Sequence, residues 1–193
     1  MIRVGRPEDA AAVRRVVGEA FGEDGPTIVR LVDDLRLEHA RAELVAEVAG
    51  TVVGHVLLSQ CWVDARKALV EVLVLSPLSV APSHQRGGIG TELVGTAIEA
   101  AREAGAPALF VEGSPVYYGS RGFEAATPRG FTRPSARVPE PAFQVAVLDG
   151  HEEWMTAALV YCEPFWRHDC IGLRDPELSE TERVFRLQGG DRA

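Results

Sequence analysis

The sequence predicts an α/β protein (α+β in some schemes) built on a mixed central sheet that is flanked by helices. Three observations predict it. Helix-periodic and strand-like segments alternate along most of the chain, two strand-like segments form a hairpin, and a central strand–helix–strand unit is of the kind that makes parallel neighbours. With 193 residues, 46% hydrophobic and 25% charged, the chain can form one sizeable core.

Two helices are expected near the start of the chain. After a short apolar segment, Ile2–Val4, apolar residues recur at helical spacing, and Pro7 suits the first turn of the helix that they define. The residues of that buried face are Val13, Val16, Val17, Ala20 and Phe21. A second helix is expected to begin at Pro26, and the residues that it buries are Ile28, Leu31, Val32 and Leu35.

Three strands are expected next. Residues 42–50 and 51–63 are rich in Val and Leu and are separated around Ala49 and Gly50, which predicts an antiparallel hairpin. Residues 69–80 form the third strand. Because Pro77 cannot donate a ladder hydrogen bond, we expect a bulge or a splay at that position.

A crossover unit occupies the centre of the chain. Residues 90–105 predict a helix with one apolar face that stops at Gly105, a residue suited to a left-handed cap. Residues 107–113 then form a buried strand, which becomes a parallel neighbour of the strand before the helix. Further on, residues 143–149 are strand-like and residues 156–166 suit either strand or helix. The polar tail from about Ile171 has no assigned fold.

Composition and charge argue against several classes of function. A net charge of -8 argues against nucleic acid or an anionic membrane surface as the main partner. The sequence shows neither a leader segment nor a membrane-spanning run, so we expect a cytoplasmic protein. The three cysteines form no CxxC motif, and the contiguous His168, Asp169 and Cys170 lack ordinary metal-ligand spacing. We therefore expect reduced thiols and no metal.

The most informative segment is VAPSHQRGGIGTELV, residues 80–94, in which three glycines stand between a strand and a helix. Backbone N–H groups at a helix N-terminus bind phosphate oxygens, and glycine lets the backbone approach them closely. The segment lacks the Lys-Ser or Lys-Thr of a Walker A loop, and Leu93 stands where a dinucleotide fingerprint needs Gly or Ala. A phosphate site of another kind and a turn that binds nothing both remain open at this point.

Two motifs resemble those of the GNAT N-acetyltransferases. In the family's acetyl-CoA motif, a strand ending L-x-V is followed by Pro and then by Q/R-x-x-G-x-G/A opening a helix. The residues that match it are Leu78, Val80, Pro82, Gln85, Gly88 and Gly90. Downstream, Tyr118, Gly122 and Phe123 match the family's Y-x-x-x-G-F pattern. The resemblance covers residues 2–161 and is greatest to the YhbS-like branch of predicted bacterial acetyltransferases.

The resemblance implies an acetyl-CoA site. The resemblance also implies a mixed, mostly antiparallel central sheet, in which the motif strand and the strand after its helix form a splayed parallel pair. In the family, pantetheine enters the gap between these strands, and backbone N–H groups at the helix start hold the pyrophosphate. The positions carried over as cofactor-binding are Leu78, Ser79, Val80, Gln85, Arg86, Gly87, Gly88, Ile89, Gly90 and Thr91. Gly87 departs from the basic residue that is common there, which puts one contact to the nucleotide end in doubt. Acetyl-CoA is thus the expected co-substrate, without a metal.

The resemblance also implies the chemistry, in which a neutral amine attacks the thioester directly and CoA thiolate leaves. Tyr118 is the position that the family pattern assigns to the acid that protonates the thiolate, whereas Tyr117 is expected to pack. For the base, Glu112 at the end of the second splayed strand is the first choice and Glu71 the second, with a water relay as a further alternative. His84 is expected to face solvent. Further candidates for the pocket, the 3′-phosphate and the acceptor are Ser76, Ser114, Arg86, Arg102, Arg121, Trp62, Trp154, Phe165 and Trp166.

The acceptor is left open as a small-molecule amine or a peptide amine, and family members often form homodimers. We expect the GNAT domain to occupy residues 1–165 and a C-terminal extension to occupy residues 166–193. One alternative is a non-catalytic sensor or scaffold that has the same fold and binds acyl-CoA. A nucleotide-binding protein is a further alternative, against which the missing lysine counts.

Overall fold

A computed structural model of the chain describes residues 1–190 and confirms the mixed, mostly antiparallel sheet. The strands are β1 (Ile2–Val4), β2 (Ala40–Val48), β3 (Thr51–Ala65), β4 (Leu69–Val80), β5 (Ala108–Glu112), β6 (Glu124–Ala125), β7 (Phe143–Val147) and β8 (Ala157–Val160). The α-helices are α1 (Ala10–Phe21), α2 (Gly25–Glu38), α3 (Ile89–Glu103), α4 (Pro115–Gly119), α5 (Glu163–Arg167) and α6 (Glu177–Gly190).

The strands lie in the order β1-β2-β3-β4-β5-β7-β6, and β8 pairs with the last residues of β3. The predicted hairpin is confirmed, since β2 and β3 pair antiparallel around Ala49 and Gly50, both of which have a positive φ. The crossover unit is confirmed too, because β4 and β5 pair in parallel on either side of α3 in the chain. The other strand pairs of residues 1–190 are antiparallel.

The parallel strands β4 and β5 separate after a short paired stretch. Their bridges join Leu73 to Leu109 and Val74 to Phe110. Beyond these bridges β4 continues to Val80 with β3 as its partner, and β5 continues with β7 as its partner. The carboxyl ends of β4 and β5 therefore diverge, and each leaves one edge open toward the other.

An irregularity in β4 coincides with the point where the strands diverge. Leu75 pairs with Leu58 and Leu78 pairs with Val56, so the register between β3 and β4 shifts between these pairs. The shift includes Pro77, whose missing N–H predicted an irregularity at this position. The proline thus marks the start of the open edge.

Helices cover both faces of the sheet. The apolar face predicted for α3 is buried, and its residues are Leu93, Val94, Ala97, Ile98 and Ala101. On the other face, α1 and α2 bury Val13, Val16, Val17, Leu31, Val32 and Leu35. The helices α1 and α2 cross closely, because a Cβ built at Gly25 would lie 2.5 Å from the carbonyl oxygen of Gly18.

The end of the chain has more structure than its composition predicted. Residues 156–166 contain both elements that their pattern allowed, the strand β8 and the helix α5, and the tail that had no assigned fold includes α6. The predicted boundary between residues 165 and 166 falls inside α5, and the division into a domain and an extension stays a prediction. Residues 191–193 of that extension lie outside the described residues.

The contiguous residues His168, Asp169 and Cys170 each have a separate partner. His168 Nε2 lies 2.7 Å from Asp34, Asp169 forms ion pairs with Arg137 and Arg174, and Cys170 donates to the His168 carbonyl. Within residues 1–190, no three His, Cys, Asp or Glu side chains are arranged to hold a metal ion. In the same part of the chain, no helix is both long and apolar enough to cross a membrane.

Candidate active site

A cavity of about 530 Å³ opens at the carboxyl end of β4, beside the start of α3. Its lining residues are Leu78, Val80, His84, Gln85, Arg86, Gly88, Gly90, Thr91, Tyr117 and Arg121. Most of the residues expected to bind the cofactor thus lie around one cavity. His84, which was expected to face solvent, also contributes to the lining.

The start of α3 presents unpaired backbone donors to this cavity. Gly88 caps the helix with φ 90°, a left-handed conformation that favours glycine, and it has no side chain that could accept a hydrogen bond. The first bond of the helix runs from Glu92 N to Gly88 O at 3.0 Å. The N–H groups of residues 89–91 therefore have no partner within the helix. Together with the helix dipole they form a site for an anion.

The side chain of Gln85 holds the loop before α3 against β4. Gln85 Nε2 donates to the carbonyl oxygen of Val80 at 3.0 Å, and Arg86 adopts a left-handed φ of 61°.

Three of the expected cofactor residues lie outside the lining of the cavity, namely Ser79, Gly87 and Ile89. Ser79 is 1% exposed, and its hydroxyl has no hydrogen-bond partner within residues 1–190. Any contact from Ser79 to a ligand would therefore come from its backbone.

Tyr117, which the sequence predicts to pack, does pack against the apolar cluster beside α3, and it also lines the cavity. A Cβ built at Gly90 would lie 2.5 Å from the Tyr117 hydroxyl oxygen, so only a residue without a side chain allows this approach. Arg121 stacks on the Tyr117 ring and binds Thr91 Oγ1 through Nε at 3.0 Å and NH2 at 2.8 Å. A cation thus stands beside the free N–H groups of α3. Tyr117 and Arg121 are four residues apart, which was the available signal for this pair, although α4 ends at Gly119.

A second cavity, of about 420 Å³, lies on the other side of the diverging strands. It is bounded by α1, α2, the irregular part of β4, the end of β5 and the chain after β8. Its lining residues are Phe21, Asp24, Thr27, Ile28, Leu31, Ser76, Pro77, Glu112, Tyr161, Phe165, Asp169, Cys170, Gly172, Leu173, Arg174 and Glu177. The predicted base Glu112 and the candidate pocket residues Ser76 and Phe165 are therefore brought together here.

Glu112 is the carboxylate at the end of β5, and both of its oxygens accept hydrogen bonds. Tyr161 donates to Oε1 at 2.8 Å, and the backbone N–H of Gly172 donates to Oε2 at 3.0 Å. Burial raises the pKa of Glu112, while the two donors and the charge of Arg137 oppose that rise. A carboxylate whose pKa is raised accepts a proton more readily at neutral pH than an exposed one does.

Tyr118 packs at the same end of β5. A Cβ built at Gly113, the residue after Glu112, would lie 2.4 Å from Cε2 of Tyr118, so the ring lies directly on the glycine backbone. The ring also meets Tyr117 and Phe123 edge-on, with centroids 5.0 Å and 5.6 Å away. Burial raises the pKa of Tyr118, and the neighbouring Tyr117 adds to the rise. The phenol therefore keeps its proton at neutral pH.

Glu71 and Arg102 lie away from both cavities, whereas Ser114 lies near Glu112, with which it lines a smaller cavity of about 260 Å³. Glu71 is exposed and pairs with Arg41 at 3.1 Å, as expected for the outward face of an alternating strand. Arg102 stands thirteen residues beyond Ile89 in α3, which places it about 20 Å from the helix start. Ser114 caps α4 by accepting from Tyr117 N at 3.3 Å.

The tryptophans do not line the second cavity. Trp62 packs against the core and meets His39 edge-on, and Trp154 donates to Glu152 at 2.9 Å. Trp166 is 46% exposed and donates to the carbonyl oxygen of Tyr161. Their role in the structure is packing and support of the chain after β7.

A protein family and a known protein match this chain in sequence. The model of the acetyltransferase (GNAT) family matches residues 11–123. The uncharacterized N-acetyltransferase YjhQ of Escherichia coli K12 is 34% identical over 131 residues, which is 65% of this chain and 71% of that protein.

Two solved structures are similar over most of the chain. The GNAT family N-acetyltransferase YhbS of Escherichia coli, in complex with CoA, has a TM-score of 0.76 and 28% identity, and the match covers 86% of this chain and 92% of that one. A GNAT family acetyltransferase of Brucella melitensis, in complex with acetyl-CoA, has a TM-score of 0.69 and 29% identity, over 86% and 97% of the two chains. On the sequence match and the shared fold, this chain belongs to the acetyltransferase (GNAT) family.

Proposed function

We propose that this protein transfers the acetyl group of acetyl-CoA to a primary amine, by direct attack of the amine on the thioester within a ternary complex. The observation that carries the proposal is the divergence of β4 and β5, with an open anion site at one side and Glu112 at the other. The CoA and acetyl-CoA held by the two similar structures support this choice of donor.

The cofactor would run from the start of α3 into the gap between the strands. N–H groups of residues 86–91 would bind the pyrophosphate, and Arg121 would add a positive charge beside them. The open edge of β4 at residues 78–80 would pair with the amides of pantetheine, as an added strand would. The thioester would then lie near the point where β4 and β5 separate.

Glu112 is proposed as the base and Tyr118 as the acid. An amine with a pKa near 10.4 is neutral only about once in 10³ at pH 7, so a base that removes its proton raises the rate by up to about that factor. The raised pKa of Glu112 suits it to accept that proton. Tyr118 is chosen over Tyr117 because its ring lies against Gly113 at the end of β5, whereas Tyr117 is engaged by Arg121 at the phosphate end.

The acceptor would occupy the second cavity. The helices α1, α2 and α5 contribute mostly apolar side chains to its lining, with Thr27 of α2 as the polar one, and Glu112 lies in the lining where β5 ends. A small-molecule amine fits a space of about 420 Å³, and the terminal amine of a peptide could enter it from the exposed side.

The test combines binding and turnover. Calorimetry should show binding of acetyl-CoA, and a panel of amines should include some that release CoA in an enzyme-dependent assay. Binding without turnover on any amine would favour the alternative of a non-catalytic acyl-CoA sensor. Absence of acetyl-CoA binding would refute the proposed donor itself.

A further inference from the structure

The chain after β7 reaches back to the carboxylate proposed as the base. Tyr161 stands 49 residues beyond Glu112 in the chain and Gly172 stands 60 residues beyond it, yet each donates to one of its oxygens. Both donors lie outside residues 11–123, where the family model matches. The surroundings of Glu112 therefore depend on residues that neither sequence motif contains.

Both the ring and the backbone of Tyr161 are held by neighbouring residues. It is 5% exposed, and its ring packs against Phe165 with centroids 4.6 Å apart. The carbonyl oxygen of Tyr161 accepts from Trp166 Nε1 at 3.2 Å, and the preceding residue Val160 pairs with Trp62 of β3. Since ring and backbone are both held, the position of the hydroxyl oxygen is fixed, and the hydroxyl donates to Glu112 Oε1 at 2.8 Å.

Close contacts with Arg137 hold the backbone of Gly172 in place. Its φ is 63°, and a Cβ built on it would lie 2.4 Å from the carbonyl carbon and oxygen of Arg137. The next residue, Leu173, donates to that same carbonyl at 2.9 Å. Any side chain at residue 172 would force the segment away from Arg137, and the N–H that binds Glu112 Oε2 would move with it.

We infer that Tyr161 is a positioning residue for acetyl transfer, which holds the Glu112 carboxylate in the orientation that faces the acceptor cavity while the N–H of Gly172 fixes the other oxygen. The inference rests on the proposed role of Glu112 as the base. A carboxylate has about four acceptor sites, so one bond to each oxygen leaves acceptor capacity for the proton of the amine. Tyr161 acts through Glu112 and does not itself contact the reacting atoms.

Several charged or titratable groups surround this carboxylate. Arg137 acts on it from the loop before β7, while Cys61 and Cys162 lie beside Tyr161. Those that share the cavity are Asp24, Asp169, Cys170, Arg174 and Glu177. Arg137 and Arg174 are both paired with Asp169, and Nη1 of Arg137 has no hydrogen-bond partner within residues 1–190.

The test is Tyr161→Phe, which removes one hydroxyl and keeps the ring. With one donor fewer, the charged form of Glu112 is less stable and its pKa rises. The acid limb of the kcat/KM profile should therefore move up by about one pH unit or more. In a Glu112→Gln background the same change should leave turnover unaltered, since the carboxylate through which Tyr161 acts is gone. Melting curves of all four proteins monitor the fold.

The outcomes separate the two proposals. An unmoved acid limb in Tyr161→Phe, or an equal loss of turnover in both backgrounds, would overturn the positioning role and leave Tyr161 as a packing residue. If Glu112→Gln keeps both the turnover and the acid limb of the wild-type protein, the assignment of Glu112 as the base fails, and the role of Tyr161 fails with it.

Should Tyr161→Phe not fold, the wild-type protein still decides the question. The hydroxyl proton of Tyr161 is observable by NMR when it is shielded from solvent, and its resonance should shift at the pH of the acid limb as Glu112 titrates. A hydroxyl resonance that does not respond to that titration would contradict the inference.

Discussion

The guanidinium carbon of Arg121 lies 3.8 Å from the centre of the Tyr117 ring, in a cation–π contact at the mouth of the first cavity. Arg121 also binds Thr91 in the first turn of α3. This arrangement places a positive charge at the helix start in a sequence that has glycine at residue 87, where the family commonly has a basic residue. If the start of α3 holds CoA as proposed, Arg121 would supply a positive charge in place of that residue.

Arg121→Gln should weaken binding of acetyl-CoA about tenfold, because a hydrogen bond between charged groups is worth about 1.5 to 3 kcal/mol in favourable sites and less where solvent reaches it. The loss should diminish at high salt. Calorimetry at two salt concentrations measures both effects. The matched control is Arg102→Gln, which removes the same charge at the far end of α3. Equal effects of the two substitutions would mean that Arg121 acts only through net charge.

Gly90→Glu should abolish binding of acetyl-CoA, because a side chain there meets the Tyr117 hydroxyl and a carboxylate repels the pyrophosphate. Gly95→Glu is the control, since Gly95 lies in the same helix with open space around it. Calorimetry of both variants is the measurement. Wild-type affinity in Gly90→Glu would remove the start of α3 from the cofactor site.

Tyr118→Phe should lower kcat by about 10² to 10⁴ while the affinity for acetyl-CoA stays nearly unchanged, since only the proton donor is lost. Tyr117→Phe provides the comparison on the adjacent residue. Steady-state kinetics with one active amine distinguish the two. A larger loss of kcat in Tyr117→Phe than in Tyr118→Phe would transfer the acid role to Tyr117.

Glu112→Gln should lower kcat/KM by about 10² to 10³ near neutral pH. The base must be deprotonated to act, so activity is present above the pKa of Glu112 and falls as the pH decreases through it. Because burial raises that pKa, the acid limb should lie above the ordinary carboxyl value of about 4.3. Profiles of kcat/KM against pH for both proteins test this. An acid limb that persists in Glu112→Gln would belong to another group.

Gly25→Ala should destabilise the fold by about 1 to 3 kcal/mol, because the new methyl group would overlap the carbonyl of Gly18 where α1 and α2 cross. Gly18→Ala is the matched control. Its Cβ would meet no atom within 4 Å, and replacing glycine inside a helix should stabilise the protein by about 0.5 to 1 kcal/mol. Denaturant unfolding of the two variants should therefore give shifts of opposite sign.

Much of the fold follows from local patterns. The helical spacing in α1 and α3, the hairpin turn at Ala49 and Gly50, and the missing N–H of Pro77 each act over a few residues, so they are visible in the sequence. The helix α6 is the counterexample. Its sequence is polar and weakly periodic, and none of the residues 177–188 is buried, so it lacks the apolar face from which a helix can be predicted.

The sequence by itself predicted that the glycine turn is a phosphate site and, through two motifs, indicated the family and the donor expected for it. Backbone N–H groups at a helix start are a local property, which is why residues 85–91 were sufficient. Only the tertiary structure decided that Tyr117 and Arg121 lie at that turn, and that Tyr161 and Gly172 hold Glu112. These contacts join residues far apart in the chain, and no pattern along the sequence encodes the distance between two side chains across a folded sheet.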